Sequence, residues 1–148
     1  MKSTNAITVL FVIAVVGFAL VGAQAADELK KNMKLNYEKM GDMLGNILLD
    51  KDWDETVKDA ELLATHAQEI KNLDSSKYTK DMPKSEYFDS YALHLESSAQ
   101  NLKIVAEEIQ KEQAAGGERS RYLRPNAAVF FGQTVSMCVN CHNQFRGR

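Results

Sequence analysis

Both cysteines of the chain and one of its three histidines fall in a single run, Cys138-Val139-Asn140-Cys141-His142. Three chemistries use residues of this type at this spacing. A redox dithiol or disulfide needs two neighbouring thiols, one of them easily ionised. A structural zinc site needs four nitrogen or sulfur donors, usually in pairs. Covalent attachment of a c-type haem needs two cysteines to form thioethers with neighbouring vinyl groups and a histidine to reach the iron.

The rest of the chain discriminates among them. The remaining histidines, His66 and His94, stand alone on other segments, so zinc lacks a second pair of ligands. Reactive Cys-x-x-Cys pairs favour a helix N-terminus, where the backbone dipole lowers the thiol pKa. Here the motif falls towards the end of a helical pattern, where that dipole disfavours thiolates. Haem attachment uses every residue. On a helix, Cys138 and Cys141 lie one turn apart on one face, and His142 projects from the same side. The motif occurs once, so one covalent haem c is expected.

The position of this motif depends on the elements around it. Lys2 precedes the apolar run ITVLFVIAVVGFALVG and the triplet Ala23-Gln24-Ala25, after which ADELKKN is polar. That layout predicts a signal peptide, residues 1–25, cleaved after Ala25. A retained anchor is the competing reading, disfavoured because the run falls short of the roughly 20 residues that span a bilayer comfortably. Residues 26–148 then form one exported domain. Losing Lys2 from the 18 basic residues leaves 17 against 20 acidic ones, which excludes the strongly basic face of a nucleic-acid binder.

Strand signals are absent, and four amphipathic segments account for nearly all of the domain. The first, about Asp27 to Leu49, carries Leu29, Met33, Tyr37, Met40, Leu44 and Ile47 at helical spacing. The second, about Asp54 to Leu73, has Trp53 at its entrance, Asp54 as cap, and Val57, Ala60, Leu63, Ala67 and Ile70 on one side. A polar linker holding Pro83 follows. The third, about Ser85 to Gln113, repeats Phe88, Tyr91, Leu95, Ser98, Leu102, Val105 and Ile109 at the period of a left-handed bundle seam. Gly116-Gly117 ends it. The fourth is expected to begin near Pro125 and to carry Phe130, Phe131, Thr134, Val135, both cysteines, His142 and Phe145. The predicted fold is an all-α, antiparallel up-and-down four-helix bundle, the usual way for four single-stripe helices to bury their stripes together.

With an exported chain, four helical segments and CVNCHNQFR on the last of them, the sequence resembles the class II c-type cytochromes, the cytochrome c′ group and its six-coordinate relatives. Phe145 and Arg146 occupy positions where that group typically has an aromatic residue and an arginine. The specific part of the resemblance is this motif; the other helices match in pattern more than in identity. It implies a haem held between the helices of a periplasmic bundle, with His142 as proximal iron ligand and a first-helix residue on the distal side. Met33 is the expected distal ligand, with Met40 as the alternative, Met43 to one side of the stripe, and three gap-filling core methionines as the blander reading. Arg146 is a candidate contact for a haem propionate, and Phe130 and Phe131 are candidates to flank the porphyrin.

His66 and His94 read as partly exposed helix residues, and Lys30, Lys31 and Lys34 as a solvated face. Gly41 and Gly45 would let another helix approach, within the bundle or across a homodimer. The leading functional expectation is a periplasmic carrier of single electrons between redox proteins, since a His/Met-ligated iron leaves no position for substrate. The alternative is a five-coordinate relative binding nitric oxide or carbon monoxide. No acid-base or nucleophile constellation suggests catalysis, and no nucleic-acid partner is expected.

Overall fold

The computed structural model describes residues 30–72 and 86–145. The expected signal peptide with its cleavage point after Ala25, Leu29, the linker around Pro83, and Arg146 lie outside the described residues. Within them the protein is all-α, with four helices and no strand, an arrangement compatible with a four-helix bundle. Helix α1 occupies residues 30–49, α2 is Trp53–Lys71, α3 is Glu86–Ala114 and α4 is Ser120–Phe145. None of the described helices is long and apolar enough to cross a membrane.

Each helix buries one stripe. In α2 the stripe is Trp53, Thr56, Ala60, Leu63, Ala67 and Ile70, close to expectation, with Val57 only partly buried. In α3 the fully buried seam is Phe88, Ala92, Leu95, Ala99, Leu102, Ala106 and Ile109. Ser98 is buried as expected, while Ala92, Ala99 and Ala106 take the steps expected of the only partly buried Tyr91 and Val105, because a small side chain lets the neighbouring backbone come close. In α1 the buried stripe runs Met33, Asn36, Met40, Met43 and Ile47, with Met33 and Met40 only partly buried. This is a correction: Tyr37 and Leu44 are exposed, at 76% and 43%, rather than buried with the stripe, and the polar Asn36 concealed the true face.

The helix ends have local causes. A residue in the left-handed conformation, Asp50 at φ 52°, stops α1, with Lys51 N–H reaching the Asn46 carbonyl at 3.0 Å. Asp52, not Asp54, caps α2: its Oδ1 accepts from the Glu55 amide at 2.9 Å, while Asp54 sits in the first turn and pairs with Lys58. Gly116, at φ 67°, closes α3, and the amides of Gly116 and Gly117 bond to the carbonyls of Gln113 and Glu112. The fourth helix starts at Ser120, ahead of the expected Pro125, which lies inside it. A proline this near the start costs few ladder bonds, and burial of Leu123 draws the segment onto the core.

One apolar cluster takes residues from every helix: Met43 and Ile47, then Trp53, Ala60 and Leu63, then Ala99, Leu102, Ala106 and Ile109, then Leu123, Ala127 and Phe131. A smaller cluster of Ile70, Phe88 and Ala92 lies apart from it, with Met33 and Cys141 packed against it. Gly41 and Gly45 meet nothing within 4 Å of an added Cβ, so among the described residues no other helix approaches them closely. Tyr37, Leu44, Leu48 and Leu49 are exposed on the same helix.

Candidate functional site

The motif residues fall where the α4 stripe leaves the main core. Leu123, Ala127, Phe131 and Thr134 are buried in succession, and Cys138 and Cys141 continue their spacing of three and four residues, half-buried. Both cysteines therefore sit on the inward side of the helix, and His142 follows at its exposed edge. Each sulfur is a free thiol. Burial pushes both thiols up to about 11, and the neighbouring sulfur adds to the effect at Cys141. Thiols held so far above neutral pH stay protonated, which argues against a reactive dithiol.

Beside them is a cavity of about 290 Å³. Helix α4 contributes Val135, Met137, Cys138, Val139, Cys141 and His142; α1 faces them with Met33, Asn36, Tyr37 and Met40. Phe88, Tyr91, Ala92 and Leu95 of α3 and Ile70 of α2 complete the wall. The sequence separated Met33 from Cys141 by more than a hundred residues, yet the two share one small apolar cluster. Met40 also lines the cavity while packing on the main core. Met43 does neither job: it is fully buried in that core, which removes it as an iron ligand.

This arrangement fits a c-type haem. The donor set matches the group's chemistry, with two thiols for thioethers and an imidazole one residue on, all lining the same cavity. The wall is almost wholly apolar, as a porphyrin face requires, and a thioether sulfur lies on the helix facing the histidine's. For zinc the donors do not converge: among the described residues the one set of at least three close potential ligands is Asp42, Glu55 and Asp59, elsewhere on α1 and α2. Those carboxylates surround Lys39, whose Nζ lies 3.1 Å from Asp59 Oδ1 and 3.5 Å from Asp42 Oδ2. Burial raises the Asp59 pKa, against the opposing pull of Lys39, whose own pKa is raised chiefly by its bond to Asp59.

Other expectations need correction. Phe130 and Phe131 pack with the main core and do not line the cavity, so neither flanks a group held there. His66 is buried rather than partly exposed, and its Nδ1 lies 2.5 Å from Oδ1 of the buried Asn36. His94, Lys30, Lys31 and Lys34 are exposed as expected, and Lys34 pairs with Glu38. Asn36, like Ala92, Met137 and Val139, lines the cavity without being expected there, and it is the polar one of the four. Its place three residues from Met33 and four from Met40, on a stripe otherwise apolar, is the signal that marks it.

No family model, no curated protein and no solved structure matches this chain.

Proposed function

We propose that the chain is a monohaem c-type cytochrome of the class II kind, exported to the periplasm, that passes single electrons between redox proteins. The observation that carries this reading is the meeting of Cys138, Cys141 and His142 with Met33 in one apolar cavity between α4 and α1. Its fold would be the antiparallel up-and-down bundle. In support, the core takes the later parts of α1 and α3 and the earlier parts of α2 and α4, as alternating directions require.

When bound, haem c supplies a one-electron couple at its iron. The chain's own residues do the rest. Cys138 and Cys141 would hold the group by thioethers, and His142 and Met33 would be the side chains that ligate its iron. A methionine ligand favours the ferrous state and so raises the potential. Phe88, Leu95 and Val135 keep water off the apolar faces, and the low dielectric there favours the less charged iron state. Helices tied to one another across the main core change little on reduction, which keeps the reorganisation accompanying electron transfer small. Arg146 remains the proposed propionate contact. The outward face of α1, with Tyr37, Leu44 and Leu48 around Gly41 and Gly45, is offered for a homodimer.

The test is covalent. Protein made with haem-attachment machinery should exceed its polypeptide mass by one haem and keep the pigment through acid-acetone extraction. Replacing both Cys138 and Cys141 by alanine should abolish that added mass. Retention of covalent haem by the double variant would sink the reading. Wild-type protein that is high-spin and takes up carbon monoxide readily would instead favour the five-coordinate gas-binding relative.

A further inference from the structure

We propose that Asn36, held in place by His66, is a hydrogen-bond donor on the α1 side of the cavity which, when Met33 is off the iron, favours small anionic ligands there over carbon monoxide. The inference rests on the haem reading above and concerns a side chain that reading leaves unused. Asn36 is 5% exposed and lines the cavity on the same helix face as Met33 and Met40. An amide carries no hydrophobic advantage there, so its retention on the stripe needs a polar reason.

The imidazole supplies its orientation. A carbonyl oxygen only accepts, so the 2.5 Å contact places the proton on Nδ1 of His66, donating to Oδ1 of Asn36. With Oδ1 bound to α2, the Nδ2 hydrogens are what the amide has left to present to the cavity. His66 is 6% exposed and burial lowers its pKa, so the neutral ring makes this bond near neutral pH. One turn earlier on α1, Asn32 Nδ2 donates to Glu69 Oε2 at 2.9 Å. Both contacts join α1 to α2, the buried one at Asn36 and the exposed one at Asn32.

A donor aimed into an apolar pocket discriminates by charge. An anion on the iron accepts a charge-assisted bond, whereas bound carbon monoxide is a poor acceptor. The experiment uses haem-loaded Met33→Ala protein whose ferric spectrum is high-spin, or Met33→Ala/Met40→Ala protein where the single variant stays low-spin, so that no α1 methionine occupies the iron. Azide binding to the ferric form and carbon monoxide binding to the ferrous form are titrated with and without a second substitution. Asn36→Leu should weaken azide about tenfold or more while changing carbon monoxide less than about twofold. His66→Leu should weaken azide selectively by a smaller factor, and His66→Gln, whose amide can still donate to Asn36, should restore part of it. Parallel losses of both ligands would reduce Asn36 to a packing role, and no loss of azide would overturn the proposal outright. Failure of the parent reading shows separately and first, as protein that carries no thioether-linked haem by mass.

Discussion

Met33, Met40 and Met43 share one sequence stretch but three environments, so alanine at each should report something different. Met33→Ala should convert a low-spin ferric spectrum to high-spin and remove the weak near-infrared sulfur-to-iron band. Met43→Ala should leave that spectrum alone and cost about 2–5 kcal/mol of stability in a denaturant titration, the usual penalty for truncating a buried methionine. A spectral change from Met40→Ala alone would move the ligand two turns along α1. His66 carries a separate pH signature. Burial lowers its pKa from the ordinary 6.5, so the folded state binds the proton less well than the unfolded one. Its contribution is complete above 6.5 and is lost as pH falls from there through the depressed folded value. Asp59, with its pKa raised, acts in the opposite sense and gains as pH falls. Comparing wild type with His66→Gln isolates the histidine: the variant's stability should fall less between pH 7 and pH 5, both being round working values on either side of the ordinary histidine range.

At the scale of elements, the helix boundaries were set by single polar contacts. Asp52→Ala removes the side-chain acceptor at the α2 N-terminus and should cost about 1 kcal/mol, whereas Asp54→Ala should cost less in the same thermal melts. Equal effects would put the cap back at Asp54. Asp50 matters to more than one helix. Its carboxylate accepts from Trp53 Nε1 at 2.9 Å and from Gln113 Nε2 at 3.1 Å, and pairs with Arg124 at 2.9 Å. The left-handed backbone there would suit glycine better, so the aspartate is kept for its side chain. Asp50→Gly should therefore destabilise despite relieving the backbone, and a gain in melting temperature would contradict this account.

For the whole molecule, the open face of α1 is the feature that a monomer leaves unexplained. Gly41→Ala and Gly45→Ala place a methyl in free space and add helix propensity, worth up to about 1 kcal/mol each. In a monomer both should simply stabilise. If a second copy covers this face, sedimentation should show a dimer that the same substitutions weaken, and Leu48→Lys should weaken it further. A monomer at all concentrations would leave Leu44 and Leu48 as ordinary exposed residues.

The sequence alone determined the chemistry on offer and the number of helices. CVNCH needs no fold to be recognised, because adjacent residues on a helix keep their relative positions whatever surrounds them. The α2 stripe was legible for the same reason, and so was the later part of the α4 stripe, while Leu123 and Ala127 at its start were not. Which face of α1 turns inward was not, because the choice between Asn36 and Tyr37, or Met43 and Leu44, depends on partners far along the chain. Hydrophobicity favoured Tyr37, but His66 offered Asn36 a buried bond. Only the tertiary structure set Met33 beside Cys141, retired Met43 to the core and moved both phenylalanines of α4 away from the cavity. Those placements follow from packing four stripes at once, where one side chain's volume decides the room left for another.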